Sequence, residues 1–354
     1  MKYKLLLSIY VCTSLLSGGE NRSAVPFTSS NLPIVVINTY GQNIVNEPKI
    51  TAHMGIIDNG KGVRNNITDP LNHYNGKIGI EIRGSSSQQY PKKQYGFETR
   101  DGAGEDSAVS LLGMPAESDW ILSAQYNDKT LMRDVVVYQL TNSLGRYASR
   151  TRYCEVVLNG EYIGVYMLFE KIKRDKNRVN IAKLEPADTS GVEMTGGYII
   201  KIDKLDGSGN DGWYSAYPPY PGAWQKIYYQ YHYPKPEDIT AGQKIYIKNY
   251  IAKIESVFAS EMYRNGYPQY VDVSSMVDYF LINEMTKNVD SFRLSFFMYK
   301  DIDSKNTKLF FGPVWDYNSG FGYADYYNAS KPEGWQISYF DTNSAVAFQN
   351  LPDK

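Results

Sequence analysis

The sequence predicts an α+β chain in two lobes, with a mainly antiparallel sheet in the N-terminal lobe and helices in the C-terminal lobe. Three observations carry this expectation. Short β-branched or alternating apolar runs recur as far as Ile202 with one helical interruption, a stretch rich in Gly, Pro and Tyr runs from Gly207 to Pro236, and apolar residues then recur at helical spacing. At 354 residues the chain also exceeds the usual size of one compact core, which favours a bilobal unit or two domains.

Taken in order, Leu32 to Ile37 is a short β-branched run and Lys49 to Ile57 a second apolar-rich segment after Pro48; both read as strands. Lys77-Ile78-Gly79-Ile80-Glu81-Ile82-Arg83 alternates, enters a small-residue turn at Gly84 to Ser87, and is followed by a strand over Lys93 to Glu98. Asp128-Lys129-Thr130 precedes a helix in which Leu131, Val135 and Tyr138 share a face, with Gly145 as its stop. Tyr153 to Leu158 and Tyr162 to Ile172 flank Asn159-Gly160, a strong hairpin turn, and Gly197 to Ile202 adds one more strand. Beyond the Gly/Pro/Tyr-rich connection, Pro236 opens a helix towards Ser260 and Ser274 opens another through Met285; strands near Phe296 to Tyr299 and Leu309 to Phe311 precede a loop holding Trp315-Asp316.

Hydrophobic residues make up 42% and charged residues 21%, which excludes general disorder and a multi-span membrane protein. With 37 basic and 38 acidic residues no global field draws nucleic acid or an anionic membrane, so phosphate chemistry has to use local charge. Lys2 and Lys4, the apolar Leu5 to Leu16 and the small residues Ser17 to Gly19 form a signal-peptide pattern, and the apolar part, about 12 residues against the roughly 20 of a bilayer span, argues against a permanent membrane span. The expected organisation is a signal peptide over 1–19, a linker over 20–31, an N-terminal lobe over 32–205 and a C-terminal lobe, short enough to read as truncated, over 206–354, in a protein placed outside the cytoplasm. Loss of Cys12 with the leader leaves Cys154 without an intramolecular disulfide partner, as a small core residue. His53, His73 and His232 lack metal-ligand spacing.

A small-residue loop, lysines beside a strand, a helix, a hairpin, then Asn288-Val289-Asp290 and Trp315-Asp316 follow one another in the order of the parts of phosphoryl-transfer enzymes. Such chemistry needs donors for phosphates, a carboxylate to orient the attacking hydroxyl and oxygen ligands for magnesium. The same residues resemble the CotH (spore coat protein H) kinase-like family. Its Arg-Gly-x-Ser-Ser and Pro-Lys-Lys patterns are similar to Arg83-Gly84-Ser85-Ser86-Ser87 and Pro91-Lys92-Lys93, its Leu-x-Arg helix start to Leu131-Met132-Arg133, its hairpin to Leu158 through Tyr166 with Glu170-Lys171 at the end, and its Trp-Asp signature to Val314-Trp315-Asp316.

The resemblance implies an atypical protein-kinase-like bilobal fold that binds ATP with Mg2+ or Mn2+ and phosphorylates protein. It implies Asp290 as catalytic base, Asp316 as metal ligand with Ser295 and Asn318 at the neighbouring ligand positions, and Gly84, Ser85, Ser86, Lys92 (or Lys93) and Glu170 as nucleotide contacts. Ser295 stands five residues after Asp290, where kinases carry Asn, and Asn318 stands where many members carry a second Asp. The alternatives are a kinase-fold module that binds protein or glycan at the cell surface without transfer, a role the 32 Tyr residues also suit, and a glycosidase pairing Asp290 with Asp316. Singly, the residues also have plain structural readings: Ser85 to Ser87 as a polar turn, Arg133 as the partner of a neighbouring carboxylate, Glu170 as a structural or ribose-facing residue, Asp290 as a turn residue after its helix, and Trp315-Asp316 as a buried aromatic beside a turn.

Overall fold

The structure, a computed structural model, describes residues 26–205, 211–219, 226–260, 264–290 and 292–337. The predicted signal peptide lies outside them. In chain order the elements are β1 (Ser29–Ser30), β2 (Ile34–Asn38), β3 (Ile50–Ile57), β4 (Asn65–Asn66), β5 (Tyr74–Arg83), β6 (Gln94–Arg100), β7 (Asp119–Ser123), α1 (Arg133–Ser143), β8 (Thr151–Leu158), β9 (Glu161–Glu170), β10 (Tyr198–Ile202), β11 (Gly212–Tyr214), β12 (Tyr228–Tyr233), α2 (Ala241–Phe258), α3 (Val273–Thr286), β13 (Phe296–Lys300) and β14 (Leu309–Phe311). The fold is mixed α+β and mostly sheet.

Seven strands close a barrel in the order β2-β3-β5-β6-β7-β9-β8, sealed by the parallel pair β2 and β8. Alternation decides which side chains enter it: Ile78 and Ile80 of β5 point inward while Glu81 and Arg83 face out. Trp120, Phe97, Met54 and Leu168 fill the interior, and Cys154 is a buried core thiol there. The β8–β9 hairpin turns on Asn159 (φ 51) and Gly160 (φ 83), two positive-φ positions that Asn-Gly adopts readily. Order begins earlier than the Leu32 the sequence suggests, because Phe27 stacks on Tyr162 at 4.3 Å and Ser30 Oγ donates to Glu155 Oε1 at 2.8 Å.

The second half departs from the expected helical lobe. A five-stranded antiparallel sheet, β11-β12-β10-β13-β14, carries α2 and α3 on one face, where Ile200 and Met298 share a core with Ile251 and Ile282. β10, which the sequence groups with the N-terminal strands, is central to this sheet. The Gly/Pro/Tyr-rich stretch, expected to be an insertion, supplies β11 and β12; aromatic residues on both faces of Tyr228–Tyr233 erase the alternation that marks a strand. β7 escaped sequence reading for a related reason, since DWILS is buried on both faces after its first residue. Among the described residues no helix is long and apolar enough to cross a membrane.

The barrel and the sheet share one core. Ile121 and Phe169 on the barrel's outer face join α1 and the residues under α2 and α3 in a single cluster. The sheet's other face, with Ile199 and Phe297, packs on Ile172, Val179 and Ile181 of the chain leaving β9.

Trp120 has no solvent exposure, so Trp120→Ala opens a cavity in the barrel and is expected to cost about 3–5 kcal/mol, read from urea unfolding.

Candidate active site

Helix α3 delivers the first carboxylate. Asp272 caps its start by accepting from the Ser275 N–H at 2.7 Å, and Lys287 ends it in the left-handed conformation (φ 49), turning the chain into Asn288 to Asp290. The Asp290 N–H donates to Asn288 Oδ1 at 3.2 Å and its Oδ1 accepts from Arg293 Nη2 at 2.5 Å. One oxygen of Asp290 is thereby committed within its own loop.

The second carboxylate, Asp316, follows β14 and sits at φ 62, a conformation that costs a non-glycine residue about 1–3 kcal/mol unless its surroundings hold it. Here α1 holds it. The Asp316 N–H donates to the Tyr138 hydroxyl at 3.2 Å, and the Tyr317 N–H donates to buried Asp134 Oδ1 at 2.6 Å. From the other side, Tyr317 Oη donates to Asn283 Oδ1 of α3 at 2.9 Å and the Phe321 N–H to Thr286 O at 2.5 Å. Gln125 (φ 47), Phe292 (φ 66), Ser295 (φ 52) and Phe321 (φ 54) add further positive-φ residues in the loops of this region.

Three carboxylates act on a fourth, Asp316. Burial first, then the charges of Asp134, Asp290 and Asp203, push Asp316 up to about 7, while the Arg83 charge pulls the other way. Asp134 is likewise pushed up by burial and by Asp128. Asp203, just after β10, accepts from the Ser295 N–H at 3.4 Å and the Lys204 N–H at 2.9 Å. Asp134, Asp203 and Arg83 escaped the sequence reading. Arg83 had a signal, since it ends an alternating strand on the polar parity and immediately precedes Gly84.

The charges of Asp290 and Asp203 reach Asp316, and Asp203 accepts from the Ser295 N–H; Asn318 touches Asp316 directly, with its Nδ2 2.5 Å from Asp316 Oδ1. Asn318 directs its amide NH2, not its carbonyl, at Asp316, because the carbonyl accepts from Asn127 Nδ2 at 3.1 Å and Ser319 Oγ at 3.2 Å. In this arrangement it is an anchor for Asp316 rather than a metal ligand. No group of three or more His, Cys, Asp or Glu side chains with metal-holding geometry occurs among the described residues. Magnesium usually keeps several waters and is held by one or two carboxylates plus phosphates, so a single carboxylate such as Asp316 is the kind of ligand it takes without an all-protein cage.

Three other expectations are corrected by what the side chains touch. Lys92 donates to Val165 O at 2.5 Å and Ala124 O at 3.2 Å with its ammonium 4.3 Å from the Tyr166 ring, and Lys93 donates to Gln88 O at 2.7 Å, so both lysines are spent on the barrel's own backbone. Glu170 is fully buried: Arg150 Nη1 and Arg178 Nη2 each stand 3.0 Å from Oε1, and Oε2 accepts from the Arg150 N–H at 2.9 Å, which leaves no oxygen for a nucleotide. Arg133 is clamped by buried Asp128 and lies over the Tyr323 ring. In the loop after β5, Gly84 (φ 102) is required by geometry, since a Cβ would come 2.0 Å from Ser87 Oγ, and its carbonyl accepts from Gln88 Nε2 at 2.5 Å. Residues Ser86–Gln89 form a 3-10 turn, with Ser86 exposed at the surface.

Glu170→Ala leaves buried Arg178 and half-buried Arg150 without the carboxylate they share and is expected to cost about 3–5 kcal/mol by urea unfolding, with less lost in Glu170→Gln, which keeps two acceptor lone pairs. For Asp316 the sign is the reverse of a paired carboxylate. Its folded-state value lies above the ordinary 3.8, so its neutral form is the one the fold favours and stability is lost as pH rises from about 4 through 7. Asp316→Asn is therefore expected to match the parent's thermal midpoint near pH 4 and to exceed it by a few degrees near pH 8 without added divalent cation; equal midpoints at both values would contradict this charge balance.

No curated protein matches the chain. The family model described as CotH kinase protein matches residues 80–353, a span that takes in the end of β5, the hairpin, both carboxylate loops and the α3 region. The chain belongs to the CotH kinase family.

Proposed function

We propose that this protein transfers the terminal phosphoryl group of a nucleotide to a hydroxyl of a protein, as an atypical kinase whose barrel serves as N-terminal lobe and whose helix-backed sheet serves as C-terminal lobe. The observation that supports it best is that Asp290 and Asp316, carried by two separate segments, lie near enough for the charge of one to act on the other, with Asp134 and Asp203 adding acidic charge at Asp316 against Arg83. In this reading Asp290 uses the oxygen not bound to Arg293 to orient the acceptor hydroxyl and take its proton. The acceptor oxygen bonds to the terminal phosphorus, the bond to the bridging oxygen breaks, and the nucleoside diphosphate leaves with that electron pair. Asp316 would hold Mg2+ or Mn2+, which supplies charge neutralisation to the phosphates when bound. The apolar leader after Lys2 and Lys4 supports an extracytoplasmic site of action.

One observation favours the second reading, a binding module for protein or glycan that has lost transfer. Each carboxylate already has an oxygen held, Asp290 by Arg293 and Asp316 by Asn318.

Two measurements separate the readings. ATP with Mn2+ is expected to raise the parent's thermal midpoint and not that of Asp316→Ala. Incorporation of labelled phosphate from ATP into protein is expected to fall about 100-fold or more in Asp290→Ala while its nucleotide-induced shift persists. A parent with neither shift nor incorporation overturns the transfer reading.

A further inference from the structure

Helix α3 has two apolar faces, and only one is covered. Tyr279 and Ile282 enter the core under the sheet, with Met276 packed beside them. Val277, Leu281 and Met285 recur at every fourth position on the outer side, where Leu281 is 52% and Met285 57% exposed. A surface helix ordinarily turns polar residues outward, so an apolar stripe there calls for a cover. Leu281 and Met285 line a groove of about 780 Å³ together with Pro332 and Trp335. Trp335 is 60% exposed although its ring stacks on Phe280 at 6.0 Å. Thr286 and Phe321 line the groove too, and their backbone hydrogen bond ties α3 to the loop after Asp316.

The chain itself arrives at this groove. Lys287 Nζ donates to Glu333 O at 2.9 Å and to Gly334 O, and Gln336 Nε2 donates to Tyr327 O at 3.3 Å, which fixes the approach. Residues 336–337 then turn helical, and both oxygens of buried Glu284 accept their N–H groups, Oε2 from Gln336 at 2.5 Å and Oε1 from Ile337 at 2.8 Å. A carboxylate across the first N–H groups stabilises a helix start, through the hydrogen bonds and through the positive end of the helix dipole. A helix start is thus pinned on α3, and residues 338–354 follow it.

We propose that residues 336–351 form one amphipathic helix that packs its apolar face on the Leu281 and Met285 groove and completes the cover of α3. At 3.6 residues per turn, Phe340, Ala347, Phe348 and Leu351 fall with Ile337 inside an arc of about 100°; Thr342, Gln349 and Asn350 lie opposite, beside Tyr339 and Val346, and Pro352 supplies a stop. Such a helix is about 24 Å long against about 21 Å for the 14 residues of α3, so it can run along the whole stripe. A separate partner competes poorly for the groove, because a segment whose first residues are already bound at its rim acts at an effective concentration on the order of millimolar. The inference does not rest on the phosphotransfer reading.

Hydrogen exchange of the full chain, followed by mass spectrometry, tests it. Amides of residues 340–351 are expected to exchange about tenfold or more below the open-chain rate in the parent, and to lose that protection in Leu281→Asp, in Phe348→Asp and in the two combined, which act on one contact. Ile245→Asp, on the exposed side of α2, is expected to leave the protection intact. Leu281→Gln removes the apolar contact without adding a charge and replaces the aspartate variant should that one not fold. Open-chain exchange over 340–351 in the parent overturns the inference, as does protection that survives both Leu281→Asp and Leu281→Gln. A dimer by light scattering that Leu281→Asp splits, with 340–351 exchanging as open chain, gives the groove to a second copy and equally overturns it.

Discussion

The contact on which this site depends is the packing of Trp315. Its ring lies 5.4 Å from Phe169 of the barrel wall, 6.4 Å from Tyr138 of α1 and 6.2 Å from Phe297 of the second sheet, so one side chain touches all three bodies. Aromatic pairs of this kind contribute about 0.5–1.5 kcal/mol each beyond the area they bury. The next two residues take their backbone hydrogen bonds from α1, through Tyr138 and Asp134. Asp316 thus belongs to neither the barrel nor the sheet; it is fixed at their junction, and its unfavourable φ persists because packing on one side and hydrogen bonds on the other leave no alternative.

That placement explains the electrostatics. A carboxylate brought to a junction loses water from two sides, and here Asp134 arrives from α1, Asp290 from the end of α3 and Asp203 from the end of β10. The barrel contributes Arg83 in return. The folded chain therefore carries acidic repulsion that only part of its own charge offsets, the kind of arrangement a structure retains where a ligand completes it. The contrast with Glu170 is instructive. That carboxylate is fully buried, yet two arginines satisfy it, and its role is to tie β9 to the segments around Arg150 and Arg178.

Much of this was legible in the sequence. The alternation of β5, the Asn-Gly hairpin and the helical spacing of α1 and α3 each obey a local rule, and their ends fall close to where those rules place them. Asp290 and Asp316 were singled out by their place in the order of motifs and by the family resemblance, since a carboxylate after a helix or beside a Trp is, taken alone, as much a turn residue as a site residue. What the sequence hid depends on contacts between distant segments. Strands β7, β11 and β12 lack alternation because both faces are covered or aromatic. Lys92 has the right residue type at the right place in the order, but its ammonium finds Val165 and Ala124 carbonyls that only barrel closure brings near. Asp134 is seen as a site residue only when α1 meets the Tyr317 backbone.

The same logic bears on what fixes the relation between the two halves. If the barrel and the sheet were joined only by their chain crossing, Arg83 could move away from Asp203 and Asp290 and leave the acidic side unbalanced. The Trp315 seam and the continuous core from Ile121 to Ile282 oppose that separation with buried apolar area, whose contribution, about 25 cal/mol per Å², does not depend on the ionisation of the carboxylates. Charge alone would push Asp134, Asp203, Asp290 and Asp316 apart; the apolar seam is what keeps them assembled, and it does so most firmly at Asp316, the residue adjoining it.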